Sequence, residues 1–313
     1  MRNLVISKRL SRWPGAIVSP LCDSGRVDGL AAHLTERYGI RVTGLAALDV
    51  GVYRVDGPDW VARVFPEGHD VAGDAEILRR LARGGFPAER CAHEQPVSGF
   101  DGRGVLVTEF VREAPSDKPG RVFAFLGALL GRLHAHDGHG LRPGGAWHHL
   151  ASGTPADEIE AALTLLDDPH LLDEVAELDD CADLPHAFVH PDFVAANAIH
   201  TDQDNYVIVD WTGSGRGPRL WSLGLLLWAA GMRSPKALEL VVSRYRRHTV
   251  LTAEELERLA GAIKARPLLL DCWSVAHGRK SAAEVAGSLR FLDRNAERIA
   301  DAARAAFTAP ETP

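Results

Sequence analysis

The spacing of the apolar residues differs between the two halves of this chain, and that difference sets the fold class. Between residues 42 and 65 they form short runs separated by tight turns such as Asp49-Val50-Gly51 and Asp56-Gly57-Pro58, which is typical of an antiparallel meander. From Arg121 onward the period is mostly helical, with one interruption at residues 186–211. The sequence therefore predicts an α+β fold with a small sheet-rich half and a larger, mainly helical half that carries one hairpin.

The predicted division has three parts. Residues 1–23 have no clear period and are expected to be an N-terminal extension. Residues 24–111 form a predicted N-lobe, and residues 112–313 form a predicted C-lobe. A two-lobed molecule with a cleft between the lobes follows from this order. Helices are predicted from about Arg26 to Tyr38 and from about Val71 to Arg83, and strands at residues 42–48, 52–55, 60–65, 95–98 and 104–110.

Composition excludes several classes of protein. Apolar residues make up 46% of the 313 residues, and no apolar run approaches the roughly 20 residues that span a bilayer. With no secretory signal in the first residues, a cytoplasmic location without membrane contact is expected. The four cysteines form no CxxC pair, which argues against a structural zinc site or a disulfide framework. A net charge of −7 argues against nucleic acid as the main partner and is compatible with a cationic small molecule. Nothing in the sequence fixes the oligomeric state.

Three oxygen-bearing side chains border the predicted hairpin. Asp192 and Asn197 lie in the segment HPDFVAAN at residues 190–197, and Asp210 follows the next apolar run. A turn centred between Gln203 and Asp204 would place Asn197 opposite Asp210, and opposed residues in a ladder have Cβ atoms roughly 5 Å apart. The hairpin alone therefore predicts that an amide oxygen and a carboxylate oxygen meet at one end of a β-ribbon.

This arrangement suits phosphoryl transfer. Magnesium prefers oxygen ligands and usually takes one or two from the protein, with phosphates and water completing its coordination. Asn197 and Asp210 fit that need, and Asp192 lies on the loop that leads into the hairpin, where it can face an incoming hydroxyl. Phosphoryl transfer requires an oriented nucleophile, metal ions, and cations that hold the phosphates.

The motif HxDxxxxN followed by a strand that ends in Asp resembles the catalytic and metal-binding loops of the aminoglycoside-phosphotransferase and kinase-like (APH) family. The segment VHPDFVAANAIHTDQDNYVIVDW carries most of the resemblance. Weaker similarities lie at WVARVF (60–65), EILRRL (76–81), VTEFV (107–111) and LLGRLHAH (129–136). The resemblance covers roughly residues 24–290 and implies a protein-kinase-like fold.

The resemblance assigns roles to individual residues. Asp192 would be the catalytic base, and Asn197 and Asp210 would bind Mg²⁺. Glu76 would be the helix acid that pairs with the strand cation, here Arg63. The backbone near Glu109–Val111 would hold the nucleobase of ATP or GTP. The N-lobe (24–111) would therefore bind nucleotide, and the C-lobe (112–313) would carry catalysis and substrate binding.

Two positions depart from the family pattern. Arg63 stands where the family has a lysine, and arginine keeps the charge but is bulkier and grips phosphate differently. Ser222 stands where many relatives have an aspartate that supports the metal loop, so we expect its replacement to affect stability before chemistry. The turn at Asp49–Gly51 is also shorter than a typical glycine-rich phosphate loop.

Other motifs have alternative interpretations. The segment HAHDGH at residues 134–139 nearly matches a metal motif of some hydrolases, and His148-His149 is a second histidine pair, but histidines at helix ends and surfaces are common. Gly213, Gly215 and Gly217 have the spacing GxGxG, not the GxGxxG of dinucleotide sites, and a flexible loop is expected there.

The leading hypothesis is a small-molecule O-phosphotransferase that uses ATP or GTP and phosphorylates a hydroxyl, an antibiotic such as an aminoglycoside being one acceptor class. The alternative is a catalytically weak, nucleotide-binding pseudokinase with a regulatory role, which Arg63 and Ser222 motivate. A zinc or iron hydrolase built on the histidine cluster is a third hypothesis. Carboxylates available for a polycationic acceptor are Glu158, Glu160, Asp167, Asp168 and Asp271.

Overall fold

Five strands near the start of the chain form one antiparallel sheet. They are β1 (Gly44–Asp49), β2 (Val52–Asp56), β3 (Trp60–Val64), β4 (Val97–Phe100) and β5 (Arg103–Glu109). The structure is a computed structural model that describes residues 24–115, 120–146, 150–201 and 205–310. The strand order is β1-β2-β3-β5-β4, and neighbouring strands in this order are antiparallel. The predicted meander is confirmed, with β5 inserted between β3 and β4.

Two helices accompany the sheet where the sequence predicts them. Helix α1 (Ser24–Tyr38) buries Leu30 and Leu34 in a core with Val55, Ala62 and the strand valines of β5. Helix α2 (Val71–Arg83) begins where the Asp70 side chain accepts the Gly73 N–H at 2.9 Å, and it ends at Gly84. Burial of one apolar stripe fixes each helix to its own part of the first unit.

The remainder of the chain is mainly helical. Its helices are α3 (Arg121–His134), α4 (Pro155–Leu165), α5 (Pro169–Ala176), α6 (Arg219–Arg233), α7 (Pro235–Tyr245), α8 (Ala253–Glu257), α9 (Leu259–Ala276) and α10 (Ala282–Thr308). Its strands are β6 (His186–Val189), β7 (Ala198–Thr201), β8 (Asn205–Ile208) and β9 (Gly215–Pro218). Close helix approach depends on glycine: Gly127 and Gly131 of α3 face the backbone of α7 at Val241 and Tyr245, and Gly224 of α6 faces Ala262 of α9. None of the described helices is long and apolar enough to cross a membrane.

The described chain divides into two compact units that do not follow the sequence order. The first unit comprises the described chain up to Pro115 together with Ile199–Val209. The second comprises Ser116–Ala198 together with the chain from Asp210 onward. Ile208 explains this, because its N–H donates to Pro87 O at 2.8 Å and its carbonyl accepts the Glu89 N–H at 3.0 Å. The paired strands β7 and β8 thus belong with the first unit, whereas the predicted division placed them in the C-lobe. The predicted extension at residues 1–23 and the centre of the hairpin turn lie outside the described residues.

Candidate active site

The loop after β6 carries the predicted base, and buried contacts fix it. His190 is completely buried, and its ring lies 4.6 Å from that of Trp211 and 5.5 Å from that of Phe193. Its Nδ1 accepts the backbone N–H of Asp192 at 3.0 Å. Since Nδ1 accepts, the proton of a neutral imidazole is on Nε2. His190 is therefore a structural residue that holds the backbone of Asp192.

Asp192 and Asn197 contact each other directly. The Asn197 Nδ2 donates to the Asp192 carbonyl at 2.9 Å and to its Oδ2 at 2.8 Å. Both side chains are half-buried. Because an amide nitrogen is only a donor, the Asn197 atom that can coordinate a cation is Oδ1. One short loop thus orients the predicted base and presents an amide oxygen beside it.

Asp210 has an unusual backbone conformation. Its φ is 65°, in the left-handed region that few residues other than glycine adopt. Such conformations cost free energy and concentrate at functional sites. Thr212 Oγ1 donates to Asp210 Oδ1 at 3.2 Å, which helps to orient the carboxylate.

The predicted ladder pairing of Asn197 with Asp210 is wrong in detail. Asn197 ends a 3₁₀ turn (Ala195–Asn197) immediately before β7, and Asp210 follows the end of β8 by two residues, so neither lies in a strand. The two strands pair with each other, so the residue that enters the ribbon and the residue that leaves it are at the same end. The side chains there are hard oxygen donors, the kind that Mg²⁺ takes.

A buried ion pair interacts electrostatically with Asp192. Arg266 of α9 and Glu158 of α4 are 1% and 0% exposed, and their Nη1 and Oε1 atoms are 3.6 Å apart. Burial lowers the pKa of Arg266 to about 10, and the negative charges of Glu158 and Asp192 act in the opposite direction. Arg266 is therefore within electrostatic range of Asp192.

The other predicted acceptor carboxylates have local roles or lie at the surface. Asp168 caps α5 by accepting the Leu171 N–H at 3.0 Å, and Asp271 pairs with Lys280. Glu160 and Asp167 are exposed.

Arg63 and Glu76 lie in the first unit, and Glu76 does not have the partner that the resemblance implies. Arg63 is half-buried in β3, between Val52 of β2 and Leu106 of β5. Glu76 is 56% exposed and pairs within its own helix, with Arg83 at 2.6 Å and Arg79 at 4.0 Å. The pairing of Glu76 with the strand cation is therefore replaced by surface ion pairs of α2.

The acid that α2 buries is Asp74, which sequence reasoning missed. It is 2% exposed, and its Oδ2 lies 2.6 Å from Nε2 of His69. His69 in turn stacks on Phe65, with ring centroids 4.3 Å apart. The helical period contained the signal, because Asp74 falls on the stripe of Val71 and Leu78 whereas Glu76 falls on the opposite side.

The predicted contact for the nucleobase, Glu109–Val111, begins at the last residue of β5. Glu109 is exposed, and its backbone N–H donates to Arg90 O at 2.8 Å. Val111 is half-buried, and its backbone makes no hydrogen bond to another residue of the described chain. Further on, Ala114 donates to His200 O at 2.8 Å. We call residues 110–115 the hinge segment. Backbone hydrogen bonds hold both ends of this segment, whereas the backbone of Val111 makes none within the described chain.

The histidine segment at residues 134–139 makes structural contacts. Among residues 24–115, 120–146, 150–201 and 205–310, no group of three or more His, Cys, Asp or Glu side chains could hold a metal ion. His134 is buried and lies 2.9 Å from the Tyr245 hydroxyl, and Asp137 accepts the His139 N–H at 2.8 Å. His148-His149 lies outside the described residues.

The GxGxG segment is not a flexible loop. Gly215 and Gly217 lie in β9, which pairs with β6. A Cβ on either would collide with the backbone of residues 142–144, and Arg216 N–H donates to Arg142 O at 2.7 Å. Glycine is needed because two backbones run in direct contact.

A model of the phosphotransferase enzyme family, APH, matches residues 48–261, a span that includes Arg63, Asp192 and Asp210. This chain belongs to the phosphotransferase enzyme family. As a member it is a small-molecule kinase whose acceptor is a hydroxyl group. Among curated proteins, none matches the chain significantly.

Solved structures of kinases have a similar fold. Amicoumacin kinase hAmiN, solved in complex with AMP-PNP, Ca²⁺ and Ami, is 15% identical with a TM-score of 0.61, over 89% of this chain and 95% of its own. Choline kinase LicA from Streptococcus pneumoniae is 16% identical with a TM-score of 0.62, over 86% and 98%. Spectinomycin phosphotransferase APH(9)-Ia, in complex with ADP and spectinomycin, is 12% identical with a TM-score of 0.55, over 89% and 98%. At these identities the likeness shows the fold alone, and that fold is the protein-kinase-like α+β fold predicted from the sequence.

In this phosphotransferase, Ser222 takes part in holding the loop that contains His190 and Asp192. Its Oγ donates to His190 O at 2.8 Å and accepts the His190 N–H at 3.2 Å. Ser222 and His190 are both buried. A hydroxyl has a donor and an acceptor function, so it satisfies both backbone groups of one residue. The departure from the family's aspartate therefore leaves the loop supported.

Proposed function

We propose that this phosphotransferase transfers the γ-phosphate of ATP or GTP to a hydroxyl of an amine-bearing small molecule, with Asp192 as the catalytic base. The observation that carries the proposal is the pair of hydrogen bonds from Asn197 to Asp192, which holds the proposed cation ligand, Asn197, beside the proposed base, Asp192, in one loop. In phosphoryl transfer the protein contributes mainly positioning and electrostatic stabilisation, and this loop serves both.

Asp192 would act through the carboxylate oxygen that faces the acceptor. Asn197 holds Oδ2, so Oδ1 is the oxygen that would accept the proton of the acceptor hydroxyl. As the acceptor oxygen bonds to the γ-phosphorus, the bond from that phosphorus to the β–γ bridging oxygen breaks, and ADP or GDP leaves. The proton remains on Asp192 until it is released with the product.

Mg²⁺ is the proposed cation, held by Asn197 Oδ1 and the Asp210 carboxylate. When bound, it would offset negative charge on the nucleotide phosphates. The chain's own contribution is to aim Asp210, through its left-handed backbone and its hydrogen bond from Thr212. We expect Asp210→Ala to weaken binding of the metal–nucleotide complex.

For the nucleotide, we propose contacts from Arg63 to the phosphates and from the backbone at Glu109–Val111 to the base. We propose Asp74, in place of Glu76, as the helix acid that supports Arg63, because Asp74 is the acid that α2 buries. Two kinases of similar fold were solved with AMP-PNP or ADP. Use of ATP or GTP also accords with a cytoplasmic location, where these nucleotides are abundant.

The acceptor class rests on chemistry shared by compounds named for the similar structures. Choline and spectinomycin each combine a hydroxyl with a cationic nitrogen. A net charge of −7 favours a cationic acceptor. We therefore propose amino alcohols and aminated sugars, aminoglycoside antibiotics among them, which would give resistance if the acceptor is an antibiotic.

A coupled ADP-release screen tests this proposal. Aminoglycosides, choline, other amino alcohols and amine-free sugars are tried with MgATP and MgGTP separately. The expected result is acceleration by at least one amine-bearing alcohol. We expect Asp192→Asn to lower kcat about 10²- to 10⁴-fold while nucleotide still binds, and the exposed control Asp173→Asn to keep wild-type turnover. Unchanged turnover in Asp192→Asn would refute the assigned base, and no acceleration by any acceptor would favour the pseudokinase.

A further inference from the structure

Asp59 adopts a backbone conformation that its residue type rarely takes. It ends the turn between β2 and β3, and its φ is 63°. Aspartate tolerates this region better than most residues, but glycine would be less strained there. Its carboxylate also makes contacts that glycine would lack.

The side chain and backbone of Asp59 bind both neighbours of Val111. The Phe110 N–H donates to Asp59 O at 3.0 Å, and Arg112 Nη2 donates to Asp59 Oδ2. Val111 is therefore flanked on each side by a residue held to Asp59.

Arg54 completes this group. Its Nη2 donates to Asp59 Oδ1 at 3.1 Å, and its guanidinium lies over the Phe110 ring at 4.4 Å from the centroid. We call Asp59, Arg54, Phe110 and Arg112 the Asp59 cluster. Through it, one carboxylate connects strand β2, the β2–β3 turn and the hinge segment.

We propose that Asp59 is a positioning residue for the nucleotide, because it holds the hinge segment so that Val111 presents its backbone to the nucleobase. This inference rests on the proposed function, in which Val111 contacts the base. A segment already ordered before binding loses less entropy when the ligand binds, so the same contacts give a higher affinity.

The Asp59 cluster contributes little to the stability of the fold. The Arg112 side chain is 72% exposed and that of Asp59 is 36% exposed, and ion pairs at such exposure contribute little to stability. Their effect falls on the local order of residues 110–112. The predicted consequence is a change in nucleotide affinity that exceeds any change in unfolding temperature.

The test compares variants of two aspartates in the same sheet. Asp59→Gly keeps the left-handed backbone and removes both arginine contacts, and Asp59→Asn keeps the backbone and one acceptor oxygen. Asp101, in the β4–β5 turn at φ 52°, is the matched control, and its variant is Asp101→Gly. Binding of MgATP and MgGTP to the full-length protein is measured by titration calorimetry, together with kcat and the KM of the acceptor found in the screen.

The expected result for Asp59→Gly is a rise in the Kd for the nucleotide of about 3- to 10-fold, with kcat and acceptor KM within about twofold of wild type. The Kd of Asp59→Asn should lie between those of the wild type and Asp59→Gly. This variant also tests the inference if Asp59→Gly does not fold. Asp101→Gly should bind nucleotide like the wild type. The inference is overturned if both Asp59 variants bind nucleotide like the wild type, or if Asp101→Gly weakens binding equally.

Val111→Pro separates this inference from the proposed function, because proline removes the backbone N–H. If Val111→Pro binds nucleotide like the wild type, the placement of the base at Val111 is wrong and the proposal about Asp59 falls with it. If Val111→Pro weakens binding but the Asp59 variants do not, only the role of Asp59 is overturned.

Discussion

Replacing Ser222 with alanine should destabilise the unit that carries Asp192. Its hydroxyl makes two hydrogen bonds to His190, at 2.8 Å and 3.2 Å, and both residues are buried. Removing it leaves a backbone N–H and a carbonyl without these bonds, and a buried polar group that loses its partner costs about 1–3 kcal/mol. Allowing for relaxation, we expect the free energy of unfolding to fall by about 2–4 kcal/mol.

Ser214 provides the matched control. It is also completely buried, but in the described part of the chain its hydroxyl has no hydrogen-bond partner. Ser214→Ala removes the same atom without breaking a hydrogen bond, so the free energy of unfolding should change by less than about 0.5 kcal/mol or rise. The two variants differ only in the bonds that the hydroxyl makes.

Urea unfolding followed by tryptophan fluorescence measures both effects, since Trp211 lies against His190. Turnover of Ser222→Ala should also fall, by about tenfold, because the loop that orients Asp192 loses a support. Equal unfolding free energies for the Ser222 and Ser214 variants would refute the supporting role of the Ser222 hydroxyl.

Three further predictions concern the basic residues Arg266, His134 and Arg63. Arg266→Met should lower the free energy of unfolding by about 3–5 kcal/mol, because Glu158 stays buried without its cation, and adding Glu158→Gln should recover part of that loss; equal stability of the single and double variants would contradict this. Burial lowers the pKa of His134 to about 3, below its ordinary 6.5, so between these values the unfolded state binds more protons and stability falls as the pH falls, by about 1.4 kcal/mol per pH unit. His134→Gln should remove that slope in unfolding measurements between pH 5 and 7, and an unchanged slope would show that other groups cause it. Arg63→Lys should keep or raise turnover in the ADP-release assay, and complete loss would mean that the guanidinium geometry is required.

Local patterns predict most of the fold. The sequence predicts helix α2 from about Val71 to Arg83, and the structure has the same bounds. The predicted strands lie within a few residues of the observed ones, because tight turns and apolar runs are local signals. The assignment of the β7–β8 ribbon to the first unit is not predictable in this way, since it depends on bonds between Ile208 and the distant residues Pro87 and Glu89.

The candidate site is predictable in part. The contact between Asp192 and Asn197 spans five positions of one loop, so the motif brings them together. Motif position favours Glu76 as the helix acid, although the period of α2 favours Asp74, which the helix buries. Asp59 gives no signal in the sequence, because its role depends on Phe110 and Arg112, which reach it only once β3 pairs with β5.

Neither compact unit is a single continuous stretch of sequence, and this affects how the protein can be divided. A truncation that starts at Ser116 keeps Ile199–Val209 but deletes Pro87 and Glu89, the backbone partners of Ile208. The orphaned ribbon would offer an open strand edge to other copies and promote aggregation. Producing the helical unit alone therefore calls for a short linker from Ala198 to Asp210, with two of the three proposed active-site residues beside the new junction.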